Sequence, residues 1–184
     1  VANDMNCVIF VALAEEFPRK LAPQGYNVVY TGIGKVNAAL AATKYLTCNP
    51  HVEAVYNYGT AGAGDDSVAG ELLGVHAFIE RDMDITPLGI DKFITYKDQD
   101  PLVYTSNKNT SIVCGTGDSF ARPKKPYHIV DMEGYALVRV CDYFGVPEFY
   151  SYKYISDTDN DVDPAKTWKK NVSKGAVKFK NILN

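Results

Sequence analysis

Asp131-Met132-Glu133-Gly134-Tyr135-Ala136-Leu137-Val138-Arg139-Val140-Cys141-Asp142-Tyr143-Phe144-Gly145-Val146-Pro147 is the stretch whose reading decides the fold. Leu137, Val140, Cys141 and Phe144 recur at helical spacing with Arg139 and Asp142 opposite, so residues 133–144 read as an amphipathic helix. Gly145 supplies a C-terminal stop and Pro147 follows it. Apolar and aromatic runs at 127–130 and 148–155 flank the helix and read as strands. Asp131 reads as the N-cap and Glu133 as a first-turn residue, where the helix dipole favours an ionised carboxylate. Ile155-Ser156-Asp157 then sets a second carboxylate at the end of the following strand.

The same alternation runs outward in both directions. Residues 7–14, 27–31, 52–58, 72–80 and 111–114 read as further strands, and 35–47 and 164–183 as helices. The last helix opens with Asp163 as N-cap and Pro164 at its first position, with Ala165, Trp168, Val172, Ala176, Phe179 and Leu183 on its inner face. Strands alternating with helices predict one α/β domain over residues 1–184, its largely parallel sheet covered by helices. Residues 81–110 are polar, contain Pro87 and Pro101, and read as a long loop or flap. That flap holds Ile85, Leu88, Ile90, Phe93, Ile94 and Tyr96, apolar residues that mark a lid or an interface.

Composition removes several classes of function. At 184 residues the chain can bury roughly 70% of its unfolded surface. A net charge of −3 gives no electrostatic case for nucleic acid or an anionic membrane. No apolar run approaches the ~20 residues that span a bilayer. Cys7-Val8-Ile9-Phe10-Val11-Ala12-Leu13-Ala14 resembles a signal-peptide core, but Asp4 precedes it without Lys or Arg, so a buried first strand and a cytoplasmic protein are expected. Cys7, Cys48, Cys114 and Cys141 are widely spaced and read as reduced thiols. His51, His76 and His128 lack metal-ligand spacing, and no metal is expected.

Three short segments carry more specific signals. Thr31-Gly32-Ile33-Gly34-Lys35-Val36 ends a strand and opens a helix, yet Val29 and Val36 break the P-loop pattern and Asn37 breaks the dinucleotide one, leaving a tight turn. Asn57-Tyr58-Gly59-Thr60-Ala61-Gly62 runs from a strand into small residues that allow close approach to a ligand. Asp157 to Asp163 holds four aspartates but is no calcium loop, since Val162 and Trp168 stand where glycine and glutamate belong. Mutual repulsion and partial burial should raise the Asp157 carboxyl, which suits a general acid. An apolar residue such as Met132, an anion such as Glu133 and an acid are what a buried sugar with a departing base requires.

Together these motifs resemble the nucleoside phosphorylase and nucleosidase family, in particular its methylthioadenosine/S-adenosylhomocysteine nucleosidases. The likeness rests on Gly32-Ile33-Gly34-Lys35-Val36-Asn37-Ala38-Ala39-Leu40, on Asn57 to Gly62, on Thr116-Gly117-Asp118-Ser119-Phe120-Ala121, and above all on Met132 to Pro147. It implies a three-layer α/β/α domain with a mixed, largely parallel sheet and no cofactor. By the resemblance, Asp157 is the acid at purine N7, Glu133 steadies the cationic sugar and Glu16 activates water. Thr60, Phe120, Ala121, Asp131, Met132, Ser156 and Lys153 would bind substrate, with Phe120 stacking on the base and Ala121 offering backbone groups to it. Lys153 replaces the family's usual arginine, which keeps the charge and loses the planar fork. Leu13 and Ala14 depart from the family pattern around Glu16, and the interval from Glu16 to Gly32 is shorter than usual, which implies a missing hairpin.

The expected reaction is hydrolysis of the N-glycosidic bond of a purine nucleoside or 5′-thionucleoside by a homodimer. Asn57 stands where related phosphorylases carry a phosphate-gripping arginine. Arg19, Arg81 and Arg122 leave phosphorolysis as one alternative, and non-catalytic nucleoside binding is another. Locally, Phe120 is also readable as core, Glu16 as a solvated helix start and Glu133 as dipole compensation.

Overall fold

The computed structural model describes residues 6–95 and 100–184; Tyr96 therefore lies outside the described residues. One nine-stranded sheet organises them. Its strands are β1 (Cys7–Val11), β2 (Tyr26–Tyr30), β3 (Ala54–Ala63), β4 (Leu72–Gly74), β5 (Ala77–Glu80), β6 (Val103–Tyr104), β7 (Val113–Thr116), β8 (Ile129–Asp131) and β9 (Glu148–Thr158). The helices are α1 (Lys35–Cys48), α2 (Gly134–Phe144), α3 (Pro164–Asn171) and α4 (Ala176–Leu183). The sheet order is β2-β1-β3-β8-β7-β5-β6, with β9 joining β3 and β4 joining β9. Parallel pairs dominate, while β3–β8, β4–β9 and β5–β6 are antiparallel. The mixed, largely parallel α/β sheet is thus as the sequence predicts.

Alternation within strands builds the layers. Val8 and Phe10 face a core shared with Ala38, Ala42 and Leu46 of α1 and Leu137, Val138 and Cys141 of α2. Ile9 and Val11 face the opposite side, where Phe17, Tyr58, Tyr154 and α4's Ala176, Phe179 and Leu183 pack. Tyr58 stacks on Phe179 at 4.5 Å between centroids. Cys7, Cys114 and Cys141 are buried and Cys48 is exposed, all as free thiols.

Several boundaries differ from the sequence reading. The first strand ends at Val11 rather than residue 14, because the chain turns there to bring Glu16 back over the sheet. The expected strand 72–80 is two strands in different parts of the sheet, β4 against β9 and β5 against β6 and β7. The expected helix 164–183 breaks after Asn171, since its two halves serve different neighbours: α4 packs on the Tyr58 core and α3's Trp168 turns to Thr60. Within 81–110, strand β6 and a single helical turn at Thr86–Leu88 interrupt the loop. Between Glu16 and Gly32 the described elements are one 3-10 turn (Arg19–Leu21) and β2, which pairs in parallel with β1, and no hairpin. Among the described residues no helix is long and apolar enough to cross a membrane.

Candidate active site

The cavity originates in a change of partners along β3. Residues 54–57 of β3 pair with β1, and Gly62 and Ala63 of the same edge pair with β8. Between them β1 has ended and β8 has not begun, so the edge at 58–61 opens into a crevice at a switch point of the sheet. A cavity of about 250 Å³ occupies it. The backbone N–H of Thr60, which no strand takes, donates to Glu16 Oε1 at 2.9 Å.

Glu16 is 4% exposed, whereas Glu15 beside it faces solvent. The turn at 13–16 that carries it is closed by Glu16 N donating to Leu13 O and by Leu13 N donating to Glu16 Oε2. Thr60 Oγ1 adds a third donor at 2.9 Å to Oε1. Burial pushes the Glu16 carboxyl above the ordinary range, and Thr60, Lys153 and Leu13 only partly offset it.

Asp131 and Glu133 behave oppositely although two residues apart. Lys153, 1% exposed, places Nζ 2.7 Å from Asp131 Oδ2, and Thr116 and Gly134 N also donate to that carboxylate. Burial alone would raise Asp131, but Lys153 and these donors hold it below its ordinary value. Among the described residues, Glu133 accepts from Gly34 N at 2.9 Å. Burial first, and then the Asp131 charge, lift its carboxyl to about 7. The expected capping is therefore corrected: Glu133, not Asp131, occupies the N-cap of α2, and it does so without a side-chain cap bond. Low dielectric and a neighbouring anion outweigh the helix dipole at this position. Lys153 does not line the cavity; its ammonium lies beneath it as the counter-ion of Asp131. A methyl group on Gly59 would sit 3.4 Å from Lys153 Nζ and 3.5 Å from Glu16 Oε1, so both groups converge on that point of β3.

Asp157 owes its aim to an irregularity in β9. Ala61 pairs with Ile155 and Gly62 with Asp157, leaving Ser156 as an extra residue. Such a bulge redirects the following side chain. Ser156 Oγ donates to Asp157 Oδ1 at 2.6 Å, and Asp157 Oδ2 lies so close to Gly62 that a methyl group there would stand 3.0 Å away. Burial raises the Asp157 carboxyl, Ser156 lowers it, and Asp161 is the aspartate that adds repulsion. Asp161 is half-buried and accepts from Thr158 N and Thr167 Oγ1.

The opposite wall is a loop. Phe120 and Ala121 line the cavity and Phe120 is 62% exposed, so it is not core. Arg81, buried after β5, donates to the carbonyls of Gly117 and Ser119. Lys35 Nζ bridges Glu80 and Asp82 at 2.7 and 2.6 Å, Asp82 accepts from Asp118 N, and Asp118 accepts from Lys35 N. Gly34, at φ 95°, places its N–H on Glu133 and Lys35's on Asp118, so one turn ties both walls.

Of the residues expected from sequence, Glu16, Thr60, Phe120, Ala121, Asp131, Met132, Glu133, Ser156 and Asp157 line this one cavity. Asn57 does not: its amide is buried between Phe10 O and Ser151 Oγ. Leu13, Ile33, Trp168 and Lys169 also line it without having been expected there. For Trp168 a signal existed, an apolar ring five residues past an acidic loop, but helical spacing assigned it to the core. The described cavity lining includes no arginine, as Arg19 is held by Val28 O and Arg81 by the 117–119 loop. Among the described residues no cluster of three or more His, Cys, Asp or Glu could hold a metal ion.

No protein-family model matches the chain. Among curated proteins it is 31% identical to a 5′-methylthioadenosine/S-adenosylhomocysteine nucleosidase of Baumannia cicadellinicola subsp. Homalodisca coagulata, over 79% of this chain and 73% of that protein. It is 30% identical to the enzyme of the same name from Staphylococcus haemolyticus, over 86% of this chain and 79% of that one. Among solved structures, the nucleosidase of Colwellia psychrerythraea 34H in complex with adenine superposes with a TM-score of 0.81 at 20% identity, covering 97% of this chain and 94% of the other. Futalosine hydrolase of Helicobacter pylori superposes at 0.82 and 21% identity, covering 96% and 94%. At these identities the superpositions speak to the shared fold.

Proposed function

The chain belongs to the nucleoside phosphorylase and nucleosidase family, and from that premise we propose how its own residues divide the work. It is an N-glycosidic hydrolase that releases the base of a purine nucleoside or 5′-thionucleoside. In the proposed sequence, Asp157 donates a proton to N7 of the base. The C1′–N9 bond breaks with its electron pair going to the base, and Glu133 stabilises the ribosyl cation. Glu16 takes a proton from water as the water oxygen attacks C1′. Free base and free sugar leave. Phe120 stacks on the base, Ala121 meets its edge and Met132 packs on the sugar.

The observation that carries this reading is the convergence on one cavity of three carboxyls, all raised by burial, from residues 16, 133 and 157. A proton donor and a proton acceptor near neutral pH need such displaced affinities. The absence of arginine from the described lining favours water over phosphate as nucleophile. A nucleoside panel with and without phosphate tests it: free sugar should form without phosphate, and a sugar 1-phosphate formed only with phosphate would overturn it.

The proposed unit is a single domain working as a cytoplasmic homodimer, the partner closing the 5′ end of the sugar pocket. Leu88, 72% exposed, supports an interface in the 81–110 segment, whereas Phe93 packs on Tyr127. Leu88→Glu should weaken association in sedimentation, and a fully active monomer at micromolar concentration would refute the dimer.

A further inference from the structure

Helix α3 reaches the water-activating carboxylate by a route that the proposed roles above do not use. Trp168 Nε1 lies 2.8 Å from Thr60 Oγ1, and Thr60 Oγ1 lies 2.9 Å from Glu16 Oε1. An indole N–H can only donate, so Thr60 Oγ1 accepts from it. The single hydroxyl proton of Thr60 is thereby directed to Glu16. Oε1 of Glu16 now carries two donors, Thr60 N and Thr60 Oγ1, and Oε2 carries one, Leu13 N. Each carboxylate oxygen has two lone pairs, so the remaining acceptor site is on Oε2.

The indole is itself held. Asp163 caps α3 by accepting from Lys166 N, Thr167 Oγ1 donates to Asp161, and Asn171 Nδ2 donates to Ser156 O at 2.8 Å. Ser156 in turn donates to Asp157. The helix is therefore anchored beside the acid and delivers its N–H to the base's partner.

We infer that Trp168 is a positioning residue: its indole N–H orients the Thr60 hydroxyl, which fixes the Glu16 carboxylate with Oε2 free to receive the proton of the attacking water. This rests on the reading of Glu16 as the base. Other groups act on the same carboxylate. Lys153 of β9 favours its charge, while Glu133 at the head of α2 and Tyr58 of β3 also interact with it electrostatically. All three remain in place when only the indole is changed.

Trp168→Phe keeps a ring in the cavity wall and removes the donor. Steady-state kinetics with 5′-methylthioadenosine across pH form the test. Trp168→Phe should lower kcat about tenfold, the scale of one neutral hydrogen bond, with KM changed less than about threefold. The acidic limb of kcat should move to higher pH, because a carboxylate that loses a well-directed donor is harder to ionise. Thr60→Val should do the same, Thr60→Ser should restore the wild-type profile, and the double variant should be no worse than Thr60→Val alone. A raised KM with an unmoved acidic limb, or additive losses in the double variant, would overturn the relay. Glu16→Gln separates the two levels: if it retains full turnover, the reading of Glu16 as base fails. If it loses turnover while Trp168→Phe keeps the wild-type profile, only the relay fails.

Discussion

The floor and the outer wall of the cavity are built in different ways. Glu16 on its turn, Asp131 at the end of β8 and Lys153 in the middle of β9 are buried, and Glu133 at the head of α2 is half-buried beside them. Phe120 and Ala121 sit on an exposed loop held by Arg81 and the Lys35–Asp82–Asp118 bridge. Burial is what raises the Glu16 and Glu133 carboxyls, so the proposed proton chemistry depends on the layer that excludes water. Stacking needs only a flat apolar face, which a surface loop supplies at little cost. On the proposed roles, reaction belongs to the buried layer and recognition to the exposed loop.

The sharpest way to break that contrast is to remove the cation of the floor. Lys153→Met leaves Asp131 buried without its counter-ion and should cost about 3–5 kcal/mol in denaturant unfolding. A loss no larger than that of a surface lysine such as Lys124 would mean the floor is not electrostatically integrated. Next in size, Asp157→Asn and Glu133→Gln should each lower kcat by about 10²-fold or more. Phe120→Ala should chiefly raise KM; equal kcat losses at all three would erase the distinction between floor and wall.

Gly62→Ala probes the bulge. Its methyl would press on Asp157 Oδ2 at 3.0 Å and Val130 Cγ2 at 3.3 Å, and kcat should fall about tenfold as the acid is displaced. Unchanged kcat would show that Asp157 has latitude. A separate test is a pH slope. Glu133 is raised from 4.5 to about 7 in the folded protein. The folded state therefore binds more protons than the unfolded one between those values, and this contribution to stability, present below 4.5, is lost as pH rises through about 7. Urea unfolding at pH 5 and pH 8 should show wild type losing stability relative to Glu133→Gln at the higher pH; parallel behaviour would put the Glu133 carboxyl in water.

Amphipathic α2, the alternating strands and the motif residues around 57–62, 116–121, 131–133 and 155–157 were all legible in the chain, because periodicity and turn residues encode local structure directly. That much also placed nine of the ten expected site residues around one cavity. Lys153 lies beneath the cavity lining and the Glu133 carboxyl is raised rather than held ionised by the helix dipole, because neither the depth of a strand residue nor the identity of its counter-ion is written in its neighbours along the chain. Trp168 was assigned to a continuous helix because spacing cannot reveal that α3 and α4 pack on different surfaces. The sequence by itself determined which elements form and which chemical groups they carry. Only the tertiary structure decided which carboxylate keeps its charge and where the bulge aims the acid, since dielectric, ion pairing and strand register arise between segments far apart in sequence.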